Sequence, residues 1–259
     1  MMSRVSKRRE LLIGKEFETT RFGKCTVLEY ENNEKVTVLF HNPISIVTCT
    51  LGSLNSGSVK NPMHPLVCGK GYIGVGKYST KDKKPYILWK SMLERAYDTR
   101  MQGLNPTYKG VEVCDEWHNF QNFAEWCYGQ KFFSAKDKNG RCYELDKDLL
   151  HKGNKVYSPE TCCFIPSEIN RFLVKRQRYR GYTPIGVTFC KERGNFMAFC
   201  TVDGVPRKCL GRFKTPEEAF QAYKKGKEDY AKVLAIRWRD AVDDCVIKAL
   251  IEYSVNIGD

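Results

Sequence analysis

The stretch Glu144–Asn170, ELDKDLLHKGNKVYSPETCCFIPSEIN, decides how the middle of this chain is read. It opens as a short strand with carboxylates at alternate positions and passes a Lys-Gly-Asn turn at 152–154. It restarts at Ser158-Pro159-Glu160, an N-cap with proline at the first helical position. The pattern predicts a strand, a turn and a helix, with polar groups gathered at the centre. Asp146 and Asp148 lie two apart on the strand and are expected to share a face. Oxygen ligands on one face suit magnesium or manganese, and such an ion can clamp a scissile phosphate and stabilise the departing oxygen. The competing reading is a surface strand whose charges offset one another.

The unit resembles the ββα finger of phage HNH-type homing endonucleases. The likeness is carried by Asp146, Lys147, Asp148 and Leu149, by Asn154, and by Pro159-Glu160-Thr161. It implies phosphodiester hydrolysis with a divalent metal. Asp146, Lys147, Asp148, His151 and Asn154 are then the catalytic candidates, and Asp146 and Asp148 the ligands of Mg or Mn. The family's general-base histidine falls here on Lys147, and its asparagine after Pro-Glu falls on Thr161. A lysine activates water only when its pKa drops by several units, whereas imidazole needs little adjustment. His151, in the turn, is the histidine able to stand in for that base; a lone turn histidine can equally be just solvated.

Further along, Ile185–Trp238 holds three short strands punctuated by Arg193-Gly194-Asn195 and Asp203-Gly204, both hairpin signals. A helix is expected from Thr215-Pro216-Glu217-Glu218, where threonine caps, proline takes the first helical position and Glu218 closes a capping box. This stretch resembles the AP2-type DNA-binding domain in the form phage homing endonucleases carry. The matching residues are Gly186-Val187, Gly194-Asn195-Phe196 with Ala198, Leu210-Gly211-Arg212-Phe213, and Glu217-Glu218-Ala219 with Ala222-Tyr223. The resemblance implies that the helix backs the sheet while the free face enters a duplex groove. Residues expected on that face are Ile185, Thr188, Asn195, Phe199, Thr201, Arg207 and Cys209, with Lys208 beside them and Lys191 and Arg193 at the hairpin.

Charge supports a polyanionic partner. The chain carries a formal net charge of +13, and residues 171–238 hold 16 Lys and Arg against 6 Asp and Glu. Residues 71–170 are nearly balanced, so the excess is concentrated, which favours a nucleic-acid module over a general solubility device. Within it, Arg171–Arg180, RFLVKRQRYR, reads as a basic helix or linker. Its Arg176, Arg178 and Arg180 are expected on DNA phosphates, an attraction blind to sequence and weakened by salt.

The remaining segments support these two. Residues 15–62 alternate strand-like runs, Lys24–Tyr30, Lys35–Phe40 and Ile44–Leu51, with Asn and Pro turns, which suggests a small SH3-like β-barrel. Lys60 to Pro65 reads as a linker. An amphipathic helix is expected over Ile87–Met101, with Trp89, Met92, Leu93, Ala96 and Tyr97 on one side. A second stripe is Phe120, Phe123, Ala124 and Cys127; near it Glu116 and His118 are further metal or base candidates. A final helix is expected over Trp238–Tyr253, its stripe packing back on the protein or forming a homodimer. The fold class is therefore α+β. It comprises a barrel domain (1–66), an HNH-like domain (67–170), a basic linker (171–180), an AP2-like domain (181–238) and a C-terminal helix (239–259).

No apolar run approaches the roughly 20 residues a bilayer span needs, and the N-terminus lacks the apolar core of a signal peptide. A cytoplasmic protein is expected, encoded by a phage or mobile element in a bacterial host. Twelve scattered cysteines without a CxxC pair read as reduced thiols, and zinc is not expected, although Cys114, Cys127, Cys142 and Cys162 could supply four ligands. Two functions remain. One is a metal-dependent DNA endonuclease; the other is a non-cutting, operator-binding repressor on the same scaffold.

Overall fold

The structure is a computed structural model that describes residues 4–174, 182–202 and 205–259. It is a mixed α+β fold with several antiparallel sheets. The chain divides into two compact units, Met1–Cys127 and Tyr128–Asp259. The division falls within a helix, and the segment 67–170 contributes to both.

In the first unit, α1 (Arg4–Leu12) precedes β1 (Glu16–Thr19), β2 (Gly23–Asn32), β3 (Lys35–His41) and β4 (Ile44–Cys49). The strands form an antiparallel meander in sequence order. Alternation buries Cys25, Val27, Val36, Val38 and Phe40 on one face. The expected barrel is corrected here: the sheet is open, and among the described residues no pairing joins β1 to β4. The reason lies at Leu51, placed at a strand end by the sequence pattern. The Thr50 side chain accepts from the Ser53 amide and starts a short helix, α2 (Leu51–Asn55), whose Leu51 and Leu54 fill the core.

The expected linker is corrected as well. Asn61 is buried, accepts from the Ser45 hydroxyl at 2.8 Å and from the Met63 amide at 2.9 Å, and donates to the Pro43 carbonyl at 2.8 Å. A buried amide with all these partners holds the segment to β4. Beyond it, α3 (Lys83–Tyr97) buries Trp89, Met92, Leu93 and Ala96 as their spacing requires. The helix stops earlier than expected because Asp98 caps α4 (Thr99–Leu104), accepting from the amides of Arg100 and Met101. A short strand, β5 (Glu112–Val113), and α5 (Phe120–Gly129) complete the series, with Phe120, Phe123 and Ala124 buried. The Trp89 indole donates to the Trp117 carbonyl at 2.7 Å, which satisfies its polar end inside this core.

In the second unit, β6 (Glu144–Asp146) is followed by β7 (Val156–Tyr157), β8 (Cys163–Ile165) and α6 (Ser167–Leu173). Strands β6 and β8 pair antiparallel, Glu144 opposite Ile165 and Asp146 opposite Cys163. Ser158-Pro159-Glu160 therefore does not open a helix. It is a turn tied by the Thr161 hydroxyl, which accepts from the Ser158 amide at 3.1 Å and donates to the Val156 carbonyl at 2.7 Å. Cys162 to Ile165 are all buried, and a fully buried strand carries no alternation by which a sequence pattern could separate it from a helix.

The C-terminal part matches its expected order: β9 (Val187–Cys190), β10 (Asn195–Val202), β11 (Val205–Phe213) and α7 (Pro216–Trp238), the sheet running β11-β10-β9. Thr215 and Glu218 form the anticipated capping box. The hairpin expected at Asp203-Gly204 lies outside the described residues. Val187, Ala198 and Cys200 pack on Ala219, Phe220 and Tyr223 of α7. The last helix is shorter than expected. The chain turns at Arg239–Asp243 and α8 runs only Asp244–Ile251. Its Val246 and Leu250 are buried within this chain, so these two apolar positions of the stripe are already covered. Among the described residues no helix is long and apolar enough to cross a membrane.

The C-terminal half of α7 holds α6. Glu168 accepts from Arg237 at 2.5 Å, from the Trp238 indole at 2.9 Å and from the Tyr230 hydroxyl at 3.2 Å. Nearby, the Lys227 ammonium lies 3.8 Å from the Phe172 ring centroid and donates to the Phe172 carbonyl. Burial pushes its pKa down from the ordinary 10.5 to about 8.

Three outcomes follow from this geometry. Gly186 has φ of 76°, and a Cβ there would lie 2.1 Å from the Tyr223 ring. Gly186→Ala should cost about 2 kcal/mol or more in urea unfolding, from strain plus crowding. Gly194→Ala, at φ of 62° with open space around it, should cost about 1 kcal/mol. For Lys227 the folded pKa lies below the unfolded one, so between pH 8 and 10.5 the unfolded chain holds a proton that the folded chain has lost. Stability of the parent relative to Lys227→Met should therefore rise across that window and be flat below it, as read from unfolding midpoints at stepped pH.

Candidate nucleic-acid interface

The register of the three-stranded sheet sorts its side chains. Val187, Ala198 and Gly211 are opposite one another on the face that α7 covers. The neighbouring positions therefore point away from the helix: Thr188, Cys190, Asn195, Met197, Phe199, Thr201, Cys209 and Arg212. Thr188, Thr201, Cys209 and Arg212 are exposed there. Ala198 pairs with Gly211 while Phe199 pairs with Cys209, so Leu210 is an extra residue on β11 and packs toward the core.

A second irregularity sets Arg207. Cys200 pairs with Lys208 and Val202 with Val205, which leaves one more residue on β11 than on β10. Arg207 takes up the slack in the left-handed region, at φ of 54°. Its guanidinium lies 4.8 Å from the Phe199 ring centroid, on the open face. The cation is thereby held over an aromatic platform rather than left to sample solvent. Lys191 and Arg193 are exposed in the turn at one end of the sheet, with Glu192 the acid among them.

Most of the positions expected on this face are on it: Thr188, Asn195, Phe199, Thr201, Arg207 and Cys209 from the strands, Lys191 and Arg193 from the turn. Ile185 is a correction, since it is buried in the core beneath the sheet. Lys208 is another: paired with Cys200, it belongs by register to the helix side of β11, although its side chain is exposed. Arg176, Arg178 and Arg180 lie outside the described residues. Met197 and Arg212, opposite each other on the open face, were missed; alternation with Asn195 and Phe199 places Met197, whereas only the pairing register past Leu210 places Arg212.

The loop from Asp146 to Val156 brings the other candidates together, but in a different geometry from the one expected. Strand β6 ends at Asp146, so Asp146 and Asp148 share no strand face. The Asp146 carboxylate turns back to accept from the amides of Asp148 at 3.0 Å and Leu149 at 2.8 Å, an Asx-type turn. Burial pushes its pKa above the usual carboxylate range, against those two amide bonds. Lys147 is buried. Its ammonium lies 2.6 Å from Asp148 Oδ1, donates to the Asn154 carbonyl at 3.0 Å and sits 5.6 Å from the Tyr157 ring centroid. The Asn154 amide donates to the carbonyls of Lys147 at 2.8 Å and Val156 at 2.7 Å, and its oxygen accepts from the Val156 amide at 3.1 Å. His151 is exposed at the tip.

These residues close the loop on itself. Among the described residues no group of three or more His, Cys, Asp and Glu is arranged to hold a metal ion. For Asp146 and Asp148 to bind one, the Lys147 ammonium would first have to leave Asp148. In the first unit, His118 Nε2 lies 3.0 Å from the Tyr97 hydroxyl, and burial lowers its pKa. Glu116 is exposed. Cys162 and Cys163 are buried, and burial pushes the Cys162 thiol up to about 12.

Asn154→Ala removes three hydrogen bonds that join the ends of the loop. It should cost about 2 kcal/mol locally, seen as at least tenfold faster hydrogen exchange at the Val156 amide while the β10 amides keep their protection.

Compared with known protein families, curated proteins and solved structures, the chain matches none of them.

Proposed function

We propose that this chain is a sequence-specific double-stranded DNA-binding protein that lays the open face of β9, β10 and β11 in a duplex groove. The scaffold it resembles is that of phage HNH-type homing endonucleases with an AP2-type domain. The observation that carries the reading is Arg207, stacked on Phe199 on an exposed sheet face. A planar guanidinium offers paired donors that match the edge of a base or a phosphate. Stacking holds the fork in place before binding, which reduces the ordering cost at the moment of contact. Lys191, Arg193 and Arg212 add cations that backbone phosphates would attract. Thr188 and Thr201 supply neutral donors and acceptors on the same face.

The loop favours binding without cutting. Its lysine is paired, its asparagine is engaged at both ends of the side chain, and one carboxylate caps a turn. A general base needs an unprotonated nitrogen or oxygen within reach of water. An operator-binding role on a nuclease-like scaffold accounts for a loop whose polar groups satisfy one another. Metal-dependent nicking is the competing reading and depends on the Lys147–Asp148 pair opening.

The test is selection of bound duplexes from a random pool, with each recovered strand examined for breaks. A consensus site with unbroken strands is expected. Arg193→Glu with Arg207→Glu should weaken binding to that site by about 100-fold or more, and raising salt from about 50 to 200 mM should cost orders of magnitude. Unchanged affinity in the double variant would place the reading surface elsewhere. Nicking of supercoiled plasmid in magnesium or manganese, abolished by Asp146→Ala or Asp148→Ala, would move the assignment to an endonuclease.

A further inference from the structure

We propose that Glu168 is a positioning residue that locks the loop-bearing segment 143–174 onto α7, so that duplex DNA meets the reading sheet and the 146–156 loop at one set spacing. The consequence for DNA rests on the function proposed above; the locking itself can be measured without DNA.

Covalently, the two parts are joined through residues 175–181. Sequence alone presents them as two modules on a basic tether. The contacts argue otherwise. Glu168 takes hydrogen bonds from three side chains of α7, those of Tyr230, Arg237 and Trp238. Removing a partly buried carboxylate satisfied this way is costly, because its three donors are left in the packed contact without their partner. The Phe172 ring packs against Tyr230 at 5.9 Å and Tyr253 at 4.9 Å between centroids, beneath the Lys227 ammonium.

The attachment extends beyond α6. The Tyr143 hydroxyl donates to the Ala241 carbonyl at 2.9 Å, and Lys152, in the loop itself, reaches the Ser254 carbonyl at 3.1 Å and the Asp259 carboxylate at 2.6 Å. On its own side, α6 is tied to β6 by the Asn170 amide, which donates to Glu144. Among the described residues, packed and hydrogen-bonded contacts therefore run from the loop to the sheet. A short tether by itself holds two partners at an effective concentration on the order of millimolar. Breaking the lock in an intact chain would thus be masked, and the tether must be cut to expose it.

The experiment places a specific protease site within residues 175–181 of the full chain, cuts it, and follows the fragments by size-exclusion chromatography at micromolar concentration. The cut parent is expected to elute as one species and to bind its selected duplex within about threefold of the uncut chain. Cut Glu168→Ala should separate, and cut Glu168→Gln, which keeps the side chain's size and one acceptor, should associate at least tenfold more weakly than the parent. Cut Glu168→Ala should still protect the central base pairs in a hydroxyl-radical footprint while losing protection on one flank. Fragments of the cut parent that part spontaneously would overturn the proposal. So would fragments of both variants that stay together as tightly as the parent's, and the glutamine variant serves if alanine prevents folding. A cut parent that remains one species but binds no duplex would sink the DNA-binding reading and leave the lock standing.

Discussion

The second unit depends on one helix having to serve two partners along its length. α7 spans 23 residues, about 34 Å at 1.5 Å per residue. Near its start, Ala219, Phe220 and Tyr223 bury beneath the sheet; farther along, Tyr230, Ala231, Leu234 and Ala235 are buried as well. A large apolar side chain gains about 2 kcal/mol from full burial, so neither half of the helix can be left uncovered cheaply. Covering the first half builds the three-stranded sheet, and the second half receives α6. The capping box at Thr215 and Glu218 fixes where this support begins, and the turn at Arg239–Asp243 lets α8 fold back to close it.

The two groups of polar residues in this unit use similar chemistry to opposite ends. In the loop, charge is satisfied internally: lysine on aspartate, carboxylate on backbone amides, amide on carbonyls. On the sheet, cations project from a face with few acids, and Arg207 is held there at a backbone conformation that costs about 1 kcal/mol or more. A strained residue whose side chain stacks in the open fits a surface prepared for a partner. A buried lysine whose partners are all local fits a part that maintains shape. This contrast, rather than the loop's composition, is what tilts the proposed function toward binding without cutting.

Much of the C-terminal half was legible because its signals are local. Thr215-Pro216-Glu217-Glu218 can hardly be read as anything but a helix start, and Arg193-Gly194-Asn195 supplies a hairpin turn over a few residues. The face carrying Thr188, Phe199 and Thr201 was expected by position from the AP2-type resemblance, and strand alternation agrees with it. Alternation failed where a residue is inserted. Beyond the bulge at Leu210 the parity of β11 changes, which is why Arg212 went unnoticed, whereas Met197 alternates regularly with Asn195 and Phe199 and was passed over. Ile185 failed for a related reason: it lies before β9 begins, where the chain dives beneath the sheet, and no period applies there.

What the amino-acid order determined by itself was the set of short-range decisions: where helices are capped, where hairpins turn, which strand positions alternate, and which quarter of the chain is basic. These depend on neighbours a few residues away, so the chain states them directly. Only the tertiary structure decided that Asp146 and Asp148 do not share a face, that Lys147 is spent on its neighbours, that Ser158-Pro159 is a turn, and that Glu168 ties α6 to α7. The first three outcomes are set by burial and by short-range hydrogen bonds that win over the strand and helix patterns, the last by side chains far away in sequence. The free energy of a polar group depends on which partner reaches it once water is excluded, and that choice is made only when the chain has folded.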